Sequence, residues 1–197
     1  MPLQRRTSES DPIEVFWVDR AAHGTAGRLG LTFAPGKKGA GAATGATWDR
    51  DLATDLDRLR HHHGVDLLVS LMEGFEYRLL GVPDLLDEAR ARGIEVLRLP
   101  IVDGSVPRPG DLPEVRELVR SVREAMLAGR TAVIHCRGGQ GRTGTIAALV
   151  VATFGHEPRE AIGIVREAQP WAVENPLQER YVEETAPLLR ALPGEAR

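Results

Sequence analysis

One cysteine stands where an apolar segment runs into a glycine-rich turn. Residues 133–144 read VIHCRGGQGRTG, so that Cys136 ends a strand-like run and Arg142 follows it six positions later. A helix that begins in this turn would direct unpaired backbone N–H groups and a partial positive charge towards Cys136, an arrangement that binds anions and favours a thiolate. The planar guanidinium of Arg142 can bind two oxygens of one phosphate. The pattern therefore predicts a nucleophilic cysteine in a phosphate-binding loop.

The neighbouring residues of the turn are predicted to support the same chemistry. Gly138, Gly139 and Gly141 allow successive N–H groups to point inward around an oxyanion. Thr143 can donate its hydroxyl to the sulfur and so stabilise the thiolate as a leaving group. His135 precedes the nucleophile on the strand and is expected to hold the loop by hydrogen bonding.

Other polar residues are candidates for the rim of this pocket or for a metal. Arg137 and Gln140, inside the turn, would contact either the substrate or water. Lower-ranked rim candidates are Trp17, Lys37, Lys38, Tyr77 and Arg78. The histidine tract 61–63 is more typical of a solvated helix end than of a metal site, because consecutive helical residues point in different directions. The chemistry of the turn needs neither a metal nor a nucleotide, so we expect no metal site and no cofactor.

Periodic apolar residues predict the elements that position the turn. Strands are expected at Ile13–Val18, Val65–Leu71, Ile94–Leu99 and Thr131–His135. Helices are expected at Thr47–His63, between Pro83 and Gly93, from Asp111 or Pro113 to Gly129, and at Thr143–Phe154, Pro158–Ala168 and Pro176–Leu189. The glycine-rich stretch from Gly24 to Gly45 is too long for an ordinary connection and is expected to be a functional or folded-back loop.

The alternation of strands and helices predicts an α/β fold with a mainly parallel central sheet of about five strands, flanked by helices on both faces. We expect one domain over residues 13–186, with loosely ordered tails at 1–12 and 187–197. In such a sheet, ligands bind beyond the carboxyl ends of the strands. The loops that leave those ends are expected to face one another; they are Met72–Val82, Pro100–Gly110 and Cys136–Arg142.

Composition excludes several classes of partner. Lys and Arg total 25 and Asp and Glu total 28, for a formal net charge of −3, so the chain lacks the positive excess that nucleic-acid binding requires. The longest apolar stretch, Ile146–Phe154, is too short for a membrane-spanning helix, which takes about 20 residues. No apolar block follows Arg5 and Arg6, so no secretory signal is predicted. We expect a cytoplasmic monomer with no membrane or nucleic-acid partner, and no internal disulfide, because Cys136 is the only cysteine.

The motif resembles a known group of enzymes. C-x5-R-[ST] at 136–143 is the signature of cysteine-dependent phosphatases, and the form H-C-x-x-G-x-G-R-T-G at 135–144 resembles dual-specificity and related protein tyrosine phosphatases. Over residues 13–185 the chain is similar to the kinase-associated phosphatase family, also called the cyclin-dependent kinase inhibitor 3 family. The other segments that carry this resemblance are WV at 17–18, GRLGL at 27–31, APGKK at 34–38, YR at 77–78, VPDLL at 82–86 and PIVDGSVP at 100–107.

The resemblance implies a protein tyrosine phosphatase-like fold with a general acid in the loop after the third strand, and Asp103 occupies the matching place. Its position supports this role, because it lies just beyond the carboxyl end of the predicted strand Ile94–Leu99, on the same sheet edge as Cys136. Glu73 and Glu76, in the neighbouring loop, are the competing candidates.

The expected reaction has two steps. Cys136 displaces the leaving group to form a cysteinyl-phosphate while Asp103 donates a proton; water then hydrolyses the intermediate with Asp103 as base, and Arg142 holds the phosphate oxygens. Phosphotyrosine in proteins is the expected substrate, with phosphoserine and phosphothreonine as a wider range. The expected partners are a phosphoprotein, with a kinase implied by the resemblance, and phosphate, sulfate or tungstate in the loop.

A late segment, AVENPLQ at 172–178, resembles the loop in which protein tyrosine phosphatases carry glutamines that position the hydrolytic water. Gln178 aligns with the second glutamine and is assigned a supporting role. Glu174 stands at the place of the first. Because a carboxylate near the pocket would repel phosphate, Glu174 is expected to point away from it.

Four other functions compete with this interpretation. A phosphatase of small phosphomonoesters or inositol phosphates would favour lysines inside the C-x5-R segment, where only Arg137 is basic. An inactive phosphate-binding module would not need Cys136, Arg142 and Asp103 together. A rhodanese-like sulfurtransferase would have a shorter loop without the R-[ST] ending. The dinucleotide-type spacing at Gly139–Gly144 lacks the acidic strand end that should follow it.

Overall fold

Short strands form two sheets in the computed structural model, which describes residues 5–40 and 47–189. The strands are β1 (Arg5–Arg6), β2 (Phe16–Trp17), β3 (Arg28–Thr32), β4 (Lys38–Ala40), β5 (Thr47–Asp49), β6 (Leu67–Ser70), β7 (Glu95–Arg98) and β8 (Thr131–His135). The central sheet has the order β2-β3-β8-β6-β7, and β1, β5 and β4 form a smaller sheet. In the central sheet only the β2–β3 pair is antiparallel. The prediction of a mainly parallel sheet of about five strands is confirmed, and the sheet is mixed because of that edge pair.

Helices cover both faces of the central sheet. They are α1 (Leu52–Asp57), α2 (Gly74–Leu79), α3 (Leu85–Ala91), α4 (Leu112–Leu127), α5 (Gly141–Ala152), α6 (Pro158–Ala168) and α7 (Pro176–Leu189). A π turn at Arg58–His62 follows α1, and short 3₁₀ turns lie at Arg20–Ala22 and Pro109–Asp111. The predicted bounds of α6, α7 and β8 agree with the structure. The end of α4 also agrees, because Gly129 has a positive φ of 80° just after the helix.

The two faces of the sheet bury two separate apolar clusters. Successive side chains of a strand point to opposite faces of the sheet. Leu67 and Val69 therefore belong to the cluster that contains Ile146–Ala152 of α5, whereas Leu68 belongs to the cluster that contains Leu56 of α1. Every residue of α5 is buried. The helix that begins at the motif therefore has a fixed position behind the sheet.

Two predicted elements differ from the structure. The region predicted as a helix from Thr47 instead begins with strand β5, and the helix starts at Leu52, where the Asp51 carboxylate accepts the Thr54 N–H at 2.8 Å. The predicted loop Gly24–Gly45 contains β3, which pairs directly with β8, and β4. In β3, Gly30 is required because a Cβ there would overlap Val15 and Trp17. Pattern analysis missed this strand because glycine is rare in strands unless another chain segment crosses closely.

Three further differences concern the ends of elements and the termini. The predicted strand Ile13–Val18 is reduced to Phe16–Trp17, and the predicted loop Met72–Val82 contains α2. Residues 5–12, predicted as part of a loose tail, contact the domain: the Arg50 guanidinium donates to the carbonyl oxygens of Thr7 and Asp11. Residues 1–4, 41–46 and 190–197, which include parts of both predicted tails and of the glycine-rich stretch, lie outside the described residues.

In the described part of the chain, no helix is both long and apolar enough to span a membrane.

Candidate active site

Strand β8 delivers Cys136 to the amino-terminal end of α5. Cys136 is buried, and the backbone N–H of Gly139 donates a hydrogen bond to its Sγ at 3.2 Å. The buried strand, the turn and the helix thus have the arrangement predicted from the motif. The sulfur lies where the unpaired N–H groups of α5 favour negative charge.

The glycines of the turn have different structural roles. Gly139 has a φ of 75°, and a Cβ there would lie 2.5 Å from the carbonyl carbon of Thr32. At Gly141 a Cβ would overlap the carboxylate of Glu174. Gly138 has no such constraint, since a Cβ there would contact only Gln140 Oε1, at 4.0 Å. Close contacts therefore explain the glycines at positions 139 and 141, and they give no such reason for Gly138.

Arg142 is buried and bound on one edge by a carboxylate. Its Nη1 and Nη2 donate to Glu76 Oε2 at 2.7 Å and Oε1 at 2.9 Å, and Nη1 also donates to the carbonyl of Ile101 at 2.9 Å. Nη2 lies 2.7 Å from Asp103 Oδ1. Nε is buried and has no hydrogen-bond partner within the described residues. One donor of the guanidinium therefore remains for a ligand.

The Glu76–Arg142 pair is ionised. Burial opposes the charge on Arg142, but the hydrogen bonds to Glu76 and the negative charges of Cys136, Glu76 and Asp103 outweigh it and raise the pKa of Arg142 above its ordinary value. Burial would likewise raise the pKa of Glu76, but hydrogen bonds from Arg142 and from the backbone of Glu73 hold it below its ordinary value. Glu76 is a carboxylate here and has no proton to donate.

Glu76 therefore has a different role from that of the general acid, for which it was a candidate. It is 2% exposed, and the Glu73 N–H donates to its Oε2 at 2.8 Å at the start of α2. Glu76 binds and orients Arg142, whereas its position in the sequence had made it a candidate only for the general acid. The spacing Glu73-x-x-Glu76, typical of a capping box, could have indicated that this carboxylate is fixed at a helix start.

Asp103 lies in the turn after β7, and its side chain is 58% exposed. It lines the same cleft as Cys136, as the predicted convergence of the loops requires. Two side chains from the segment at α7 bind the backbone next to it: Asn175 Nδ2 donates to Gly104 O at 3.0 Å and Gln178 Nε2 to Ser105 O at 3.3 Å. The segment at the start of α7 thus holds the loop that carries Asp103.

Gln178 connects two loops of the site. It is buried, and its Oε1 accepts the Glu174 N–H at 2.9 Å while its Nε2 binds the Asp103 loop. The Glu174 carboxylate lies against Gly141 and lines the cleft, contrary to the expectation that it points away. The preceding residue, Val173, has a φ of 55°, a conformation that a β-branched residue rarely adopts. Strain of this kind is typical of functional sites.

Two polar residues beside the nucleophile have buried atoms without partners. His135 Nδ1 lies 3.2 Å from the carbonyl oxygen of Cys136, and burial lowers the pKa of His135 to about 4, so the ring is neutral at pH 7. Nδ1 is then the donor of this hydrogen bond. Its Nε2 and the hydroxyl of Thr143 have no partner among the residues described, so the predicted bond from Thr143 to the sulfur is not formed. The Gly139 amide occupies that role.

The cleft at Cys136 has a volume of about 590 Å³. Arg137, Gly138, Gln140 and Gly141 line it, as predicted, and so do Lys37 and Lys38. The other three rim candidates do not line it. Tyr77 is buried with its hydroxyl 2.6 Å from Ser70 Oγ, Trp17 packs against Arg28, and Arg78 is exposed on α2. A different cleft, of about 630 Å³, lies between β7 and α4 and contains no residue of the motif.

One wall of the catalytic cleft is aromatic and cationic. Lys37 is 8% exposed, and its Nζ lies 4.2 Å from the ring centroid of Phe33 and 4.0 Å from that of Trp48. Burial, followed by the charge of Arg50, lowers the pKa of Lys37 to about 8. Lys37 was only a lower-ranked rim candidate in the sequence, because Phe33, which follows β3, and Trp48, in β5, are brought together only by the fold.

A cysteine at the start of a buried helix, a fixed arginine and an acidic loop opposite them define the cysteine-dependent phosphatases. The family model described as "Swiss Army Knife protein, DSP-PTPase phosphatase domain" matches residues 47–191. Rat (Rattus norvegicus) cyclin-dependent kinase inhibitor 3 is 28% identical over 179 residues, which cover 89% of this chain and 80% of that protein. The chain belongs to this family of dual-specificity and protein tyrosine phosphatases.

Solved structures agree with this assignment. A crystal structure of kinase-associated phosphatase, with its catalytic-site cysteine replaced by serine, gives a TM-score of 0.80 at 25% identity and covers 92% of this chain and 98% of that one. Tk-PTP in its active form gives a TM-score of 0.66 at 28% identity and covers 88% of this chain and 96% of that one. The protein tyrosine phosphatase-like fold expected from the sequence is confirmed.

Proposed function

We propose that the protein hydrolyses phosphotyrosine, and also phosphoserine and phosphothreonine, in protein substrates through a cysteinyl-phosphate intermediate. The observation that carries this proposal is Arg142, which Glu76 holds on one edge while its buried Nε stays available beside the start of α5. Such preorganised donors stabilise the charge that develops on a transferring phosphoryl group.

In the first step, the Cys136 thiolate attacks phosphorus and the bond from phosphorus to the ester oxygen breaks. Asp103, protonated for this step, gives its proton to the leaving oxygen. Arg142 and the N–H groups at the start of α5 bind the phosphate oxygens. The Asp103 carboxyl group lies 2.7 Å from Arg142 Nη2 and lines the same cleft as Cys136, which supports this role.

In the second step, water attacks the cysteinyl-phosphate. Asp103, now a carboxylate, accepts a proton from the water, the sulfur–phosphorus bond breaks, and Cys136 leaves as a thiolate. Inorganic phosphate then departs. Asn175 and Gln178 keep the Asp103 loop in place through the carbonyl groups of Gly104 and Ser105.

The biological setting is also part of the proposal. We propose a single phosphatase domain over residues 13–186 that works as a cytoplasmic monomer on phosphoprotein substrates. A relative carries the name cyclin-dependent kinase inhibitor 3, and we therefore include a phosphorylated kinase among the candidate substrates. The pocket is also expected to take phosphate, sulfate or tungstate.

Hydrolysis of p-nitrophenyl phosphate in the presence of EDTA tests the chemistry. The wild type should turn over, Cys136→Ser should be inactive, and Asp103→Ala should lose about 10²-fold or more in kcat. Because all three keep Arg142, tungstate should bind to each of them. If the wild type binds tungstate without turning over, the chain is a phosphate-binding module and the proposed function is wrong.

A further inference from the structure

The wall of the cleft around Lys37 contains positive charge that no carboxylate neutralises. Among the described residues, Lys37 takes part in no ion pair. Asp55, whose charge acts on Lys37, is already bound by Arg50 Nε at 2.8 Å and Nη2 at 2.7 Å and by the Gly36 N–H at 2.8 Å. The Lys37 ammonium is therefore buried beside the cleft without a carboxylate partner, and the other negative charge that acts on it is that of Cys136.

Aromatic rings hold this ammonium in place. Its Nζ lies over both Phe33 and Trp48, and rings of this kind attract a desolvated cation. The backbone is fixed as well, because the Arg50 N–H donates to the Lys37 carbonyl at 3.3 Å and β4 pairs with β5 from Lys38 onward. Little conformational entropy is lost when such a preorganised group binds a ligand.

The opposite side of the cleft differs in its charge balance. There Arg142 is neutralised by Glu76 and Asp103, and these groups serve the phosphate that is attacked. On the Lys37 side the adjacent charge is also positive, since Arg137 lies close enough to lower the Lys37 pKa. At pH 7 a lysine with a pKa of about 8 is still mostly protonated. A ligand group that fits this wall is therefore an anion.

We propose that Lys37, with Arg137, forms a second anion subsite that selects phosphoprotein substrates with an acidic or phosphorylated residue next to the phosphorylated residue that Cys136 attacks. This inference rests on the proposed function. It assigns to Lys37 a part in substrate selection that is separate from the two chemical steps.

Matched peptides test the subsite. A phosphotyrosine peptide is prepared with alanine, glutamate or phosphothreonine on either side of the phosphotyrosine, and kcat/KM is measured for the wild type, Lys37→Met, Lys37→Arg and Lys38→Met. Lys37→Met keeps a long stem between the rings but removes the charge. Lys38→Met removes the same net charge from an exposed residue of the same cleft, and so it measures the contribution of the general positive charge of the rim. Thermal melting establishes that the variants are folded.

The wild type should prefer the doubly anionic peptides by about tenfold, the size expected of one charge-assisted hydrogen bond. Lys37→Met should reduce this preference to about twofold or less, Lys37→Arg should restore it, and Lys38→Met should keep most of it. Binding of the same peptides to the Cys136→Ser protein should show the same order of affinities.

Two results would overturn the subsite. The first is equal turnover of all peptides by the wild type. The second is a loss of kcat/KM in Lys37→Met by one common factor for every peptide, which would mean that Lys37 acts on Cys136 and not on a second anion. Failure of the proposed function looks different: no peptide is hydrolysed although Cys136-dependent hydrolysis of p-nitrophenyl phosphate persists. If a small bisphosphate ester is then preferred over its monophosphate in a Lys37-dependent way, the subsite is supported and the phosphoprotein substrate is not.

Discussion

Among the described residues two arginines are buried, and each is bound by a carboxylate through two hydrogen bonds. Arg50 pairs with Asp55, and Arg142 pairs with Glu76; all four side chains are at most 2% exposed. The first pair joins the amino-terminal segment to α1, and the second lies under the phosphate-binding loop. A buried ion pair by itself therefore does not distinguish a structural site from a catalytic one.

The difference between the pairs lies in the donors that remain. Arg50 uses Nε and Nη2 on Asp55 and Nη1 on the carbonyl oxygens of Thr7 and Asp11. Arg142 uses both terminal nitrogens, but its Nε has no partner among the described residues. Because an unsatisfied buried donor costs free energy, it is retained where a ligand satisfies it. The unfilled Nε of Arg142 is the difference on which the proposed function depends.

The largest expected difference between the two arginines is in the activity and stability of their lysine variants. Lysine keeps the charge but loses the planar fork that binds two oxygens at once. Arg142→Lys should lower kcat on p-nitrophenyl phosphate by about 10³-fold. Arg50→Lys should cost about 2 kcal/mol of stability with less than about a threefold change in kcat. Urea unfolding and steady-state kinetics of both variants provide the comparison, and equal losses of kcat would show that the free Nε is not functional.

The second prediction compares Glu76 and Asp55, the two carboxylates that bind the buried arginines. Glu76→Gln and Asp55→Asn each replace a buried carboxylate by a neutral amide of similar shape. Each should lower the free energy of unfolding by about 3–5 kcal/mol. Only Glu76→Gln should also lower kcat in the folded fraction, by about tenfold to a hundredfold, because Arg142 loses its fixed orientation. A purely structural part for Glu76 would predict an unchanged kcat and an unchanged tungstate affinity once the protein is folded.

The contrast also shows what the sequence can predict. Cys136 and Arg142 were recognised because a single local motif contains both. Asp103 was assigned because the family resemblance implies an acid in its loop, and parallel strands bring their carboxyl ends to one edge. Neither arginine pair was predicted, although Arg50 and Asp55 are close in sequence. The partner of Arg142 is 66 residues away, and only the packing of α2 against the loop selects Glu76 over Glu73.

The same reasoning explains the parts of the fold that pattern analysis missed. Helices α6 and α7 begin at prolines and have apolar faces of regular spacing, so local signals were sufficient. Strand β3 was missed because Gly30 is explained only by the side chains of Val15 and Trp17, which come from the neighbouring β2 segment and fill the space that a Cβ would occupy. The importance of Lys37 was underestimated for the same reason, since the two rings around it, Phe33 and Trp48, lie before and after residues 41–46 in the sequence.

The third prediction uses pH, because the Arg142 site includes a buried neutral histidine and the Arg50 site does not. Burial lowers the pKa of His135 to about 4, against 6.5 for a free histidine. Between these values the unfolded chain binds more protons at this residue than the folded chain, so stability falls as pH falls from about 6.5 to 4. At pH 5 this residue alone should remove about 2 kcal/mol relative to pH 7.

The test compares urea unfolding of the wild type and His135→Asn at the two pH values. Asparagine keeps a donor for the Cys136 carbonyl but does not titrate. His63 and His23 also have pKa values lowered first by burial, so both proteins will lose some stability in acid. The wild type should lose about 2 kcal/mol more than the variant. Parallel losses in the two proteins would mean that His135 is not held neutral.

The smallest expected effect concerns Glu174, a carboxylate that stands against the start of α5 instead of pairing with an arginine. Glu76 orients Arg142, whereas Glu174 faces the cleft where an anion binds. Its negative charge should weaken anion binding, so Glu174→Gln should tighten tungstate binding by about threefold to tenfold, with the larger change at low salt. Glu179→Gln, which removes a carboxylate paired with Arg166 outside the cleft, is the matched control and should change tungstate affinity less than about twofold. If Glu174→Gln weakens tungstate binding instead, the side chain supports the loop geometry and does not oppose the anion.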